Sequence, residues 1–161
     1  MKLVWDNADL LKFQSRLQST TKLKEAVSKG TKEIARKLHT MLIRYTPVDF
    51  GTLKAFWQTE ENYAYTIVDK GSSFEITLYN RAQYATWVND GHRQRPGRFI
   101  PGYWSGNHFR YDPNADGGMV LKQSWVQGRF FVEKSIVAVD GKVESLLYKE
   151  LEKWWEWCVS G

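Results

Sequence analysis

The sequence predicts an α+β fold in which long helices pack on one face of a small, mostly antiparallel sheet. Apolar residues recur at steps of three and four over residues 21–44 and again over 129–158, the spacing of two long helices. Between them lie short runs of alternating polar and apolar residues, punctuated by turn residues, which is the pattern of hairpins.

The elements follow in order. Asp6 is placed to cap a first short helix carrying Leu10, Phe13 and Leu17 on one face. The second helix runs from about Thr21 to Arg44 with Leu23, Val27, Gly30, Ile34, Leu38, Met41 and Tyr45 inward. Lys22, Lys29, Lys32 and Arg36 fall on the opposite side, either as a solvated face or as a basic stripe facing phosphates or a partner. Helical spacing turns His39 toward the same side, where it reads as a surface histidine.

Pro47 ends this helix, because the residue before a proline avoids helical angles. Asp49 then sits where a side-chain oxygen caps the next backbone amides, and Gly51 supplies a tight turn at positive φ. Leu53, Ala55, Phe56 and Trp57 lead from there into the sheet. Pro47, Asp49, Gly51 and Leu53 thus make a structural corner.

Tyr63, Tyr65 and Ile67 alternate with Ala64, Thr66 and Val68, Asp69-Lys70-Gly71-Ser72 turns, and Phe74 to Tyr79 returns. Residues 82–89 form a short helix ended by Asp90-Gly91. Residues 92–118 read as the longest irregular region, exposed and mobile, with one strand at His108 to Tyr111. Met119 to Val126 reads as a strand hairpinned to it. The last helix runs from about Arg129 to Cys158, its stripe of Val132, Ile136, Val139, Val143, Leu146 or Leu147, Leu151 and Trp154 staying in phase through Gly141. With no linker and no repeat, residues 1–161 read as a single domain.

Composition narrows the classes. Hydrophobic residues make up 42% of the chain, enough for a core, and 15% are aromatic. So many Trp and Tyr suit contacts that bury one end and wet the other. Cys158, the single cysteine, excludes an internal disulfide or a Cys-rich zinc site and reads as a buried thiol. No stretch reaches the about 18 apolar residues of a membrane helix, and Asp6 and Asp9 interrupt any signal-peptide core, so the expectation is synthesis in the cytoplasm and no membrane partner. The net charge of +5 is uneven: residues 12–44 hold nine Lys or Arg against two Glu, residues 92–110 hold four Arg and no acid, and the last helix is slightly acidic. That split suits contacts between subunits or a surface facing nucleic acid.

The sequence assembles no catalytic constellation. Asp49, Asp69 and Asp90 each lie within two residues of a Gly, where Asp serves turns. His92 and His108 have Arg, Gly and aromatics as sequence neighbours rather than metal ligands. There is no nucleophile elbow and no phosphate-binding glycine loop. The expectation is a protein without enzymatic activity, cofactor, metal or small-molecule substrate. The candidate interface is instead the basic segment carrying Arg93, Arg95, Arg98 and Arg110 among Phe99, Tyr103 and Trp104. Arg, Tyr and Trp are the usual anchors of protein interfaces, and the same mixture can track a nucleic-acid backbone and stack bases.

Three blocks carry a resemblance. TPVDFGTLKAFW (46–57), YATWVNDGHR (84–93) and VQGRFFVEKSI (126–136) resemble, in that order, the signature blocks of the gene-ten-like tail-completion or head–tail joining proteins of lambdoid tailed phages and prophages. Phe50 stands where that family has Thr, Ala55-Phe56 where it has a variable residue followed by Ser, and Asn89-Asp90 where it has an acidic residue followed by a variable one. The resemblance implies a structural virion protein located at the head–tail joint. It further implies a homo-oligomeric ring whose partners are neck, connector and tail proteins, with non-specific DNA contact possible at that place. The reading from another class is a nucleic-acid-binding module that uses the basic helix face and the Arg-aromatic segment.

Overall fold

A computed structural model describes residues 8–48, 51–57, 65–71 and 73–160, with side chains from Leu11 onward. Asp6, Asp49, Phe50 and Tyr63 lie outside the described residues. In chain order the elements are α1 (Ala8–Leu17), α2 (Thr20–Tyr45), α3 (Thr52–Ala55), β1 (Tyr65–Asp69), β2 (Phe74–Leu78), α4 (Ala85–Asp90), β3 (Gly91–Arg93), β4 (Phe99–Ser105), β5 (His108–Tyr111), β6 (Gly118–Val120), β7 (Trp125–Gln127) and α5 (Phe131–Val159). Every described strand pair is antiparallel, so the chain is α+β, with three small sheets in place of one. It divides into two compact units: residues 1–41, 60–78 and 135–161 form one, and residues 42–59 and 79–134 form the other.

The first unit is built on helix contacts through small side chains. Ala26, Gly30, Thr31 and Ala35 are buried along α2, with Met41 and Leu42 buried near its end, and α5 buries Ser135, Val139 and Cys158 after Phe131 at its start. A Cβ added at Gly30 would lie 2.8 Å from Leu147 Cδ2, so the two helices approach closely there. The β1–β2 hairpin pairs Tyr65 with Leu78 and Ile67 with Ile76, which puts all four on one side, and that side packs on Ala35. Its turn is closed by Lys70 N–H to Ser73 O at 2.9 Å and by Gly71 N–H to Asp69 Oδ1 at 2.7 Å. At the far end of α5, Phe13 of α1 meets Trp155 edge to face and the Arg16 guanidinium lies 5.6 Å from the Trp157 ring.

Several expectations need correction here. Tyr45 and Ile136 are exposed, because the tight helix contact selects small residues and leaves bulky ones outside. Leu17 is also exposed, whereas Arg16 is half-buried. His39 is half-buried with its ring 6.4 Å from Tyr65, so it is not a purely solvated histidine.

The second unit begins where α2 stops. Thr46 closes the helix with both its N–H and its hydroxyl on Leu42 O, at 3.0 and 2.6 Å. Gly51 adopts φ +80°, the left-handed region open to glycine, just before α3. Leu53 and Trp57 are buried, the first within the short helix α3 and the second just after it, and residues 58–64 between Trp57 and β1 lie outside the described residues. Asn80 ties this corner to the approach of α4, donating from Nδ2 to Leu53 O at 3.0 Å and accepting Ala82 N–H at 2.9 Å.

The segment read as a long irregular loop is a pair of nested hairpins. β3 pairs with β7, Gln94 N–H bonds Ser124 O, and Gly97 and Arg98 exchange bonds with Leu121 before β4 pairs with β6. β4 then changes partner. Phe99 to Pro101 pair with β6, whereas Gly102 to Ser105 pair with β5. Pro101 is accommodated because each half of β4 carries one ladder, leaving an open edge for the missing donor. The single strand expected over Met119 to Val126 is two short ones with different partners, and neither pairs with His108 to Tyr111.

α4 and the start of α5 are locked together through Asn89, which is buried. Its Oδ1 accepts the Val132 N–H at 3.0 Å, capping one of the orphan donors in the first turn of α5. Its Nδ2 donates to Asp90 Oδ1 at 2.6 Å and to both Glu133 oxygens at 3.1 and 3.0 Å. The backbone repeats the lock, with Arg129 N–H on Val88 O and Phe130 N–H on Asn89 O, both at 2.9 Å. Phe130 is held at φ +51°, an unusual conformation for a bulky residue. Gly128 permits the approach: a Cβ there would lie 2.3 Å from Asn89 O.

Two stability predictions follow from this geometry. Gly51→Val should lose about 1–2 kcal/mol from backbone strain alone, since nothing lies within 4 Å of the added Cβ; a thermal melt should fall by roughly 2–8 °C, and an unchanged melt would refute the strained-turn account. Gly128→Ala should cost more, about 2–3 kcal/mol, because backbone and not a flexible side chain stands in the way, and urea unfolding should show the larger loss.

Candidate functional site

The second unit contains an open cleft of about 810 Å³. Apart from His108, its walls come from three separate stretches of sequence, which are the three blocks singled out above. Pro47, Val48, Gly51, Thr52 and Leu53 supply one wall, Tyr84, Trp87, Val88 and His92 another, and Val126, Gln127 and Arg129 a third. The Asn89 junction places the last two beside each other, and the Asn80 bond to Leu53 O holds the first. Three of the corner residues, Pro47, Gly51 and Leu53, therefore line the cleft, while Asp49 lies outside the described residues.

The rim is aromatic and wet. Trp87 is 62% exposed, Val48 60% and Tyr84 39%. His92 is half-buried 6.1 Å from the Trp87 ring, and its Nδ1 is closed off from solvent with no hydrogen-bond partner in the structure. His108, at the β4–β5 hairpin, also lines the cleft, so the two histidines of the basic segment converge there.

The basic segment itself forms a face of a sheet. The register Phe99–Val120, Tyr103–Arg110 and Ser105–His108 sets those side chains on one side of β4–β5–β6. Phe99, Tyr103 and Val120 are each more than half exposed there. Because His108 belongs to this face and also lines the cleft, face and cleft are continuous. Trp104 points to the opposite side and meets Phe109 at 5.4 Å. Tyr103 and Trp104, neighbours in sequence, therefore cannot anchor one and the same surface. Arg93 shares a side of β3–β7 with Trp125, both exposed, and Arg95 and Arg98 are exposed in the connection to β4.

The basic helix face is partly neutralised. Lys22 pairs with Glu25 at 3.0 Å and Arg36 with Glu33 at 2.7 Å, both exposed pairs of small energetic weight. Lys29 and Lys32 are exposed on the same side.

The arrangement offers shape and adhesive side chains. Among the described residues, Asp90 and Glu133 at the α4–α5 junction are both engaged by the Asn89 amide. Among the described residues no three His, Cys, Asp or Glu side chains are grouped to hold a metal ion, and no helix is long and apolar enough to cross a membrane. Sequence reading noted Asn89 and Trp87 only within a block and assigned them no role. Their one signal was a polar residue at the end of a short apolar helix, just before a Gly at positive φ.

A family model described as "Bacteriophage HK97-gp10, putative tail-component" matches residues 11–91. The chain is similar to the phage-like element PBSX protein XkdI of Bacillus subtilis (strain 168), 28% identical over 159 residues that cover 89% of this chain and 98% of that protein. It is also similar to the uncharacterized protein YqbI of the same strain, 29% identical over 121 residues, 70% of this chain and 71% of that one. No solved structure matches. The family model spans half of the chain, including the corner and α4, and on that ground the protein belongs to the HK97 gp10-like family of phage tail components.

Proposed function

We propose that this tail-component family member works at the head–tail joint of a phage or prophage particle, as a ring-forming protein that docks on neck, connector or tail proteins. The observation that carries the reading is the convergence of the three blocks on one cleft with exposed aromatic walls, continuous with the Phe99–Tyr103–Arg110 face. An exposed Trp with an exposed Val and Tyr around an open apolar cleft is a surface suited to receive another protein. The corner at Pro47, Gly51 and Leu53 sets the shape of one cleft wall and so of the surface a neighbour must match. The role is mechanical: a precise shape and adhesive contacts, with no bond made or broken.

The DNA-binding reading draws on the exposed arginines of 93–110, but half of the named basic charges on α2 are paired within the helix. It makes a distinct prediction, a steep fall of binding with salt.

The two are separated by a joining assay with mutant tails or heads. Phe99→Ala with Tyr103→Ala, and separately Trp87→Ala, should leave the melt nearly unchanged and reduce particle joining by tenfold or more, since losing an interface anchor costs about 2 kcal/mol. Trp104→Ala, on the other side of the sheet, should join more nearly like the parent. Normal joining by the first two variants, together with tight DNA binding lost in Arg93→Ala with Arg95→Ala, would reverse the assignment.

A further inference from the structure

We propose that the outward side of α5 is a docking surface for a second copy of this chain, and that it receives that copy's basic β4–β5–β6 face. The inference rests on the ring reading above and specifies which surfaces meet. Val137, Asp140, Glu144, Tyr148, Glu152 and Trp155 follow one another at steps of three and four, so they share one side of the helix. All six are exposed, Val137 at 75% and Tyr148 at 61%. The stripe is about 27 Å long at helical rise. Lys142 and Lys153 fall on other sides of the helix, and Lys149 borders the stripe beside Glu144, Tyr148 and Glu152, so three acids stand against one flanking base and the stripe stays apolar and net acidic.

The complement is present in the same chain. Residues 92–111 hold four arginines and no acid, and Arg110 shares its sheet face with exposed Phe99 and Tyr103. An acidic row with a central Tyr matches, in sign and chemistry, an aromatic face that carries Arg110 and is approached by the exposed Arg95 and Arg98 just before β4, whereas it repels nucleic-acid phosphate. The two surfaces differ, so the contact is heterologous: each copy offers one surface and occupies the other. Such contacts propagate from copy to copy and close into a ring when the rotation permits.

Light scattering or sedimentation of the full chain across concentration tests the pairing, in salt from roughly 0.1 to 1 M, where screening shortens from about 10 to about 3 Å. The parent should self-associate, less so in high salt. Glu144→Lys with Glu152→Lys, and separately Arg98→Glu with Arg110→Glu, should each weaken association by about tenfold or more while keeping the parent's circular dichroism. Mixing the two reversed proteins should restore association, because each retains the surface that the other lacks. A parent that stays monomeric, reversed variants that associate normally, or a mixture that fails to recover would each overturn the pairing. Counting copies at the joint of intact particles by electron microscopy tests the ring reading separately: a ring without solution pairing sinks only this inference, and pairing without a ring sinks only that reading.

Discussion

The side chain of Asn89 fastens the end of α4 to the first turn of α5, and the rest of the second unit is arranged around that attachment. Its carboxamide is fully used, with the oxygen on Val132 N–H and the two amide hydrogens shared between Asp90 and Glu133. A buried amide with all its bonds made is worth keeping, and one with a partner removed leaves donors that cost about 1–3 kcal/mol. The attachment demands a close backbone approach, which only a residue without a Cβ allows at Gly128, and it holds Phe130 at positive φ. With α4 and α5 fixed, Trp87 and His92 stand on one side of the cleft and Val126 and Arg129 on another.

This gives the three blocks a physical reason to occur together. They are distant in sequence, yet each contributes a wall of one cleft, and the residues among them with special backbone needs, Pro47, Gly51, Gly91 and Gly128, are those that turn or narrow the chain at its edges. A tail component has to present a fixed shape to neighbours, and a cleft braced by backbone bonds and one saturated amide does so without relying on a large apolar core. On the function proposed above, the exposed aromatics around the cleft are the part left for assembly.

Much of the fold was legible because periodicity reports it directly. α2, α5 and the β1–β2 hairpin follow from spacing, and α5 runs unbroken through Gly141, as the phase of its apolar stripe implied. The phase of the buried stripe was less legible. Hydrophobicity ranks Tyr45 and Ile136 above Ala35 and Ser135, but helices that approach as closely as Gly30 and Leu147 bury the small residues. The nested hairpins over 91–127 were hidden because Pro101 and Gly102 lie in a strand that changes partner between them, so neither ladder is long enough to show alternation. Of the site, the corner and the Arg-aromatic segment were visible as residue types. Their relation was not, since it depends on the register that separates Tyr103 from Trp104 and on the long-range bonds of Asn89.

The central claim is that the Asn89 attachment holds the cleft together, and amide hydrogen exchange reads it most directly. In the parent, the Arg129, Phe130 and Val132 amides should be protected. In Asn89→Ala, protection at Val132 should fall by about tenfold or more, with loss spreading to α4, β3 and β7, while the β1–β2 hairpin of the other unit keeps its protection. Fast exchange of Val132 in the parent, or an unchanged pattern in the variant, would contradict the account.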